Sequence, residues 1–137
     1  MKQYVRLTFI DVDPEAITRR LGIEPTEFHK SGDERAPGLS WRRDSWQLTS
    51  EVDENEIAAD THLRALLNRL APHFDTIRGL DSEPTISWVV HVGPDEATPD
   101  GLISAFTLAK IAELGACLNV DMYFDAQGPS ASRGSPI

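Results

Sequence analysis

Arg6, His91, Asp121 and Tyr123 supply a guanidinium, an imidazole, a carboxylate and a phenol. Such a set performs general acid–base chemistry when its members converge on one substrate. Each stands at a polar position of a segment whose apolar and polar residues alternate, so all four are expected on one side of a sheet. An ordinary polar sheet face would look the same, as would one covered by a second copy of the chain.

Three other features invite a chemical reading. Cys117, the single cysteine, is either a nucleophile beside a histidine or a small packing residue at the start of a strand. Trp41 and Trp46 flank Arg42 and Arg43, and interleaved aromatic and basic residues can stack nucleobases. The plainer alternative makes Trp46 a core anchor and the arginine pair a solvated turn. Gly32-Asp33 is either a functional loop or simple turn chemistry.

Cofactor chemistry is not indicated. The chain has no G-x-G-x-x-G, P-loop, H-E-x-x-H, C-x-x-C or G-x-S-x-G segment. Its four histidines, His29, His62, His73 and His91, lack metal-ligand spacing, and one cysteine forms neither an internal disulfide nor a Cys₂ zinc site. No metal and no cofactor is expected.

These residues need elements to position them. Residues 3–10 alternate, with Val5, Leu7 and Phe9 opposed to Tyr4, Arg6, Thr8 and Ile10, as in a half-buried strand. Asp13-Pro14 then opens a helix that carries Ile17 and Leu21 and stops at Gly22. Residues 25–38 read as a loop. Leu39 to Trp41 and Ser45 to Ser50 read as a hairpin turning through Arg42-Arg43-Asp44. A helix capped by Asp60 carries Leu63, Leu66, Leu67 and Leu70; Pro72 interrupts it, and Phe74, Ile77 and Leu80 continue the stripe. Residues 85–92 alternate again. Asp100 is expected to cap a helix through Leu114 that buries Leu102, Phe106, Leu108 and Ile111. The last strand sets Leu118, Val120, Met122 and Phe124 against Asn119, Asp121 and Tyr123. Residues 126–137 are small, polar and proline-bearing, the composition of a disordered tail.

The order of elements predicts an α+β domain over residues 1–125. Its first six elements follow the ferredoxin-like βαββαβ plan, extended by one helix and one strand, in a single mostly antiparallel sheet with helices on one face. On that plan the hairpin's second strand, the 85–92 strand and the last strand run the same way and end at one pole.

The residues also carry a family likeness. YVRLTFIDVDPEAITRRLGIEPT, then Lys30-Ser31-Gly32-Asp33, Trp41 and Trp46, and finally LGACLNVDMYF resemble a bacterial family catalogued as domain of unknown function 4279. The likeness spans about residues 3–125. It implies a small stand-alone α+β domain with no established activity, and it singles out Gly32, Asp33, Trp41 and Trp46.

Charge narrows the function classes. The chain has 137 residues, 22 acidic and 13 basic, for a net charge of −9. That balance opposes nucleic acid as a partner, because phosphate binding relies on clustered Lys and Arg. No apolar run is long enough for a membrane helix and the start does not read as a signal peptide, so a soluble cytoplasmic protein is expected. Glu51, Asp53, Glu54, Glu56 and Asp60, then Asp95, Glu96 and Asp100, and finally Asp125 together equal the whole negative excess. The predicted topology brings them to one pole, where they either favour helix starts or steer a basic protein partner. The reading is a non-enzymatic protein-binding module that uses this pole or the open sheet face. Neutralising a basic toxin is one such role by analogy alone, and a homodimer through the open face is another use of that surface. The alternative is an enzyme or small-molecule-binding domain using the open face or the Gly32-Asp33 loop.

Overall fold

The computed structural model describes residues 1–125, so the expected disordered tail at 126–137 lies outside the described residues. Strand β1 (Lys2–Ile10) leads to helix α1 (Pro14–Leu21), three short strands β2 (Glu27–His29), β3 (Glu34–Ala36) and β4 (Leu39–Ser40), and then β5 (Ser45–Thr49). Helix α2 (Ala59–Leu70), a 3₁₀ turn (Ala71–His73) and α3 (Phe74–Arg78) follow, then β6 (Thr85–Val92), α4 (Ala105–Leu114) and β7 (Cys117–Phe124).

Five strands form one mixed, mainly antiparallel sheet in the order β2-β5-β1-β6-β7, in which only β6 and β7 pair in parallel. Strands β5, β6 and β7 therefore run the same way and end at one pole, as the sequence predicts. Val5, Leu7, Phe9, Trp46, Leu48, Ile86 and Val90 point from the sheet into the core. They meet Ile17, Leu63, Leu66, Leu70, Ile77, Ile111 and Leu114 from the helices. The helices also contact one another, α2 and α3 with α4 and α1 with α3, so they make a single layer and leave the other sheet face open. The Trp46 indole donates to Thr18 Oγ1 at 3.1 Å and its ring lies 5.9 Å from that of Phe9, which makes it the core anchor.

Several local expectations fail for identifiable reasons. Segment 25–38 is not all loop, because it contains β2 and β3. The expected 39–50 hairpin does not form: β4 pairs with β3 in a separate two-stranded ribbon, and β5 takes β2 as its neighbour. Runs of two or three residues are too short to display a period. Asp100 caps no helix, since its backbone instead forms a parallel bridge with Ala58. Helix α4 starts later, with Ser104 Oγ accepting from Thr107 N at 3.1 Å. Asp60 lies inside the first turn of α2 rather than at its cap. The Ala59 N–H is satisfied by Asp100 O at 2.9 Å, which removes the need for a side-chain acceptor.

The burial pattern of α4 differs most. Of the four residues expected inside, only Ile111 is buried; Leu102, Phe106 and Leu108 are 80%, 57% and 48% exposed. The buried stripe is Thr107, Ile111 and Leu114, because α4 is the outermost helix, packed against α2 and α3 along one flank.

Candidate functional site on the open sheet face

Alternation along β1, β5, β6 and β7 delivers Tyr4, Arg6, Thr8, Gln47, Ser87, His91, Asp121 and Tyr123 to the face that the helices leave open. Cross-strand pairing sets Arg6 beside Ser87 and Thr49, Thr8 beside Gln47, and His91 beside Tyr123. A shallow hollow of about 300 Å³ forms there, lined by Arg6, His91, Asp121 and Tyr123 among others. All four residues expected to share a face do so.

Their contacts are not those of an acid–base pair. The His91 and Tyr123 rings stack, with centroids 5.0 Å apart and planes 14° from parallel. Asp121 accepts from Asn119 Nδ2 at 3.0 Å and pairs across the strands with Val89, not His91. Among the described residues no hydrogen bond joins His91 to Asp121. The Arg6 guanidinium lies 5.1 Å from the Tyr4 ring centroid and its Nε donates to Thr49 Oγ1 at 3.3 Å. Stacked rings and a guanidinium held over a phenol form a recognition surface.

The Gly32-Asp33 loop builds a wall at the other end of this face. Gly32 N donates to Trp41 O and Trp41 N donates to Asp33 O, both at 2.8 Å. Asp33 Oδ2 accepts from Lys30 N at 3.0 Å, while Ser31 N donates to Asp44 Oδ1 at 2.6 Å. Gly32 adopts φ +94°, a left-handed conformation that side-chain-bearing residues reach only with strain. Lys30 pairs with Glu15 of α1, and that carboxylate raises the pKa of the exposed ammonium. The loop thereby presents Trp41, sandwiched between the His29 ring at 3.6 Å and the Arg35 guanidinium at 4.9 Å.

A second hollow of about 520 Å³ lies between this wall and the sheet, lined by Ile10, Gln47, Trp41 and the arginines 35, 42 and 43. Arg43 is held by Asp11 at 3.1 and 2.7 Å. The two hollows adjoin at the Thr8–Gln47 pair, and together their linings carry four guanidiniums against the single carboxylate of Asp121. Inside the wall, His29 Nε2 and Gln47 Oε1 are buried with no hydrogen-bond partner, although Glu27 Oε1 lies 3.5 Å from the former. Neither His29 nor Arg35 stands out in the sequence. Alternation within Glu27-Phe28-His29 and Glu34-Arg35-Ala36 is their only signal, and three residues are too few to show it.

The remaining candidates separate from this face. Cys117 Sγ lies 2.7 Å from Glu83 Oε1, and the hydrogen bond and negative charge of that carboxylate raise the thiol's pKa above the ordinary 9.0. A thiol kept protonated in this way is a poor nucleophile. No group of three potential metal ligands gathers among the described residues, and no described helix is long and apolar enough to cross a membrane.

The acidic segments do meet at the pole where β5, β6 and β7 end. Ala58 and Asp100 join the 51–60 and 94–100 loops, Gln3 N donates to Glu54 O at 3.0 Å, and Asp125 N donates to Val92 O at 2.9 Å. Part of the charge is answered locally: Glu51 by Arg69 at 3.2 Å, Glu54 by Lys2 at 3.5 Å, and Asp60 by Arg64 at 3.7 Å. Glu96 accepts from Gly93 N at 2.7 Å. Asp60 is structural. Burial would raise its pKa, but hydrogen bonds from Thr107 and Ser104, with Arg64 beside it, hold it below the ordinary 3.8. Asp53, Asp95, Asp100 and Asp125 are exposed, whereas Glu56 is half-buried.

No curated protein and no solved structure compared with the chain matches it significantly. A family model does match, over residues 1–125, a range that takes in the whole described fold, the open face and the wall beside it. The chain belongs to the family described as Domain of unknown function (DUF4279).

Proposed function

We propose that this protein is a non-enzymatic binding module and that its open sheet face, walled by the β3–β4 ribbon, recognises an anionic segment of a protein partner. One observation carries the reading: the Gly32-Asp33 loop is spent on presenting Trp41, and the surface it borders is lined by arginines in a chain that is otherwise strongly acidic. The groove follows β1 from Ile10 to Tyr4, about 20 Å at the rise of an extended strand, enough for a short extended peptide. Stacked His91 and Tyr123, with no acid–base pair, favour recognition over catalysis.

We further read β2-β5-β1-β6 with α1 and α2–α3 as a ferredoxin-like core to which α4 and β7 are appended. The strand order and the antiparallel pairings support this. A second use of the molecule rests on the Ala58–Asp100 bridge: the acidic loops it unites would steer a basic partner by long-range attraction, weakening as salt rises.

Amide NMR titration with a short oligoglutamate peptide tests the main reading. Shifts are expected at Arg6, Thr8, Gln47 and the Trp41 indole, and their loss in Arg6→Ala and Arg42→Ala variants. Shifts confined to the helix layer would overturn this reading, and none while oligolysine perturbs residues 51–60 would favour the acidic pole instead.

A further inference from the structure

Strand β7 closes one side of the sheet with nothing beyond it among the described residues. Cys117 N donates to Pro84 O and Asp125 N to Val92 O, which fixes the alternation of the strand. The backbone groups of Cys117, Asn119, Asp121 and Tyr123 face β6, and those of Leu118, Val120, Met122 and Phe124 face outward. Most of the usual protections of an edge are missing from CLNVDMYF: it has no lysine, no proline and no bulge, its one charge is Asp121, and it runs for eight residues. Val120, Met122 and Phe124 are 50%, 40% and 66% exposed on the helix side, an unusual state for the apolar side of a strand.

Helix α4 extends this surface. Phe106 lies on the flank of α4 that meets α2 and α3, beneath Arg64 and Lys110. Helical spacing from the buried Thr107 and Ile111 therefore turns Leu108, with Ala105 and Ala112, to the opposite flank, above β7. Leu102 belongs to the same border, since a Cβ on the adjacent Gly101 would stand 3.2 Å from the ring of Trp88, which pairs with Val120. Exposed parts of Leu102, Leu108, Val120, Met122 and Phe124 amount to an area on the order of 500 Å² per copy, before any backbone is counted, against ~800 Å² per partner in a stable complex.

We infer that β7 pairs antiparallel with β7 of a second copy, about a two-fold axis at Val120, making one continuous ten-stranded sheet. The sequence is self-complementary in this register. Asn119 stands opposite Asp121 of the other copy on the open face, and Leu118 opposite Met122 on the helix side. Moving the axis to Asp121 would set two carboxylates directly opposite, which is destabilising. The pairing satisfies the outward N–H and C=O groups that no other described segment reaches. It leaves the open faces uncovered and sets two of them side by side.

Multi-angle light scattering on the full chain is expected to give twice the 15.2 kDa chain mass, with dissociation on dilution. Val120→Pro removes only an outward N–H, so it should yield a monomer with an unchanged β6–β7 ladder and melt; Val120→Lys serves as a second variant should the proline disturb folding. In a Cys117→Ser background, mild oxidation should cross-link V120C strongly and D121C or M122C weakly, because only the axial residue meets itself. A monomer at the highest soluble concentration overturns the proposal. So does a dimer that survives both Val120 variants, and so does a full chain that dimerises only after residues 126–137 are removed, since that segment would then be the occupant of the edge.

Discussion

Gln3 is fully buried, a polar residue on the apolar face of β1, and replacing it with leucine should be costly in a calculable way. Its Oε1 accepts from the Trp88 indole at 2.6 Å, and its Nε2 donates to Glu56 O at 2.6 Å. Leucine leaves the indole N–H of Trp88 buried without a partner, worth about 1–3 kcal/mol, and removes a net hydrogen bond worth about 1 kcal/mol. Glu56 O keeps the ring nitrogen of His62 at 2.9 Å, so that acceptor is not orphaned. The expected destabilisation is about 2–4 kcal/mol, several-fold more than a surface change. Trp88→Phe alone orphans Gln3 Oε1 instead and shrinks a ring in the core. In the double variant neither orphan remains, so its loss should fall short of the summed singles by about 1–2 kcal/mol. Urea unfolding followed by far-ultraviolet circular dichroism measures all four corners of the cycle. Strict additivity would refute the claim that the Gln3–Trp88 bond, rather than generic packing, couples the buried faces of β1 and β6. Hydrogen exchange should rise around Glu56 in the Gln3 variant, because its carbonyl loses the Gln3 side-chain amide, whereas Glu54 keeps its bond from the Gln3 backbone N–H.

Other residues give sharper local tests. Asp60→Asn should lower stability at neutral pH by about 1–2 kcal/mol. Asp60 titrates below its ordinary 3.8 when folded, so the advantage of the wild type exists above that value and should vanish as pH falls through the folded-state pKa, measured by urea midpoints across pH. Alkylation of Cys117 by iodoacetamide should be slow at neutral pH and accelerate in Glu83→Gln, whose amide no longer opposes the thiolate; equal rates would exclude Glu83 as the cause. Gly32→Ala must hold φ near +94° and should cost about 1–2 kcal/mol, with a change in Trp41 fluorescence and weaker binding of an anionic peptide. If both stay unchanged, the loop does not set the position of Trp41.

The sequence made the strands legible wherever a period of two lasted long enough. β1, β6 and β7 are each eight or nine residues long, and their alternation assigns Arg6, His91, Asp121 and Tyr123 to one face without further information. β2, β3 and β4 are too short for that argument, so the partner of β5 was misassigned. The wall over the open face was hidden for a different reason. Stacking of His29, Trp41 and Arg35 joins three segments whose proximity depends on the path of the chain, and no local pattern encodes it. The stripe along α4 misled because apolar spacing reports that a face can be buried, not that a neighbour exists to bury it. Leu102 and Leu108 stand where the helix layer ends. Gln3 and His62 were overlooked because polar residues are assumed to be outside, yet Trp88 and the carbonyl of Glu56 give them partners within.

Whether the open face is the recognition surface can be read from a photo-crosslinking amino acid placed in the living host. Positions Thr8 and Trp41 on that face would be compared with Asn68, exposed on α2. A discrete partner adduct is expected from Thr8 and Trp41, none from Asn68, and loss of the adduct in the Arg6→Ala variant. Adducts that arise only at Asn68, or that persist from Thr8 without Arg6, would contradict that role for the open face.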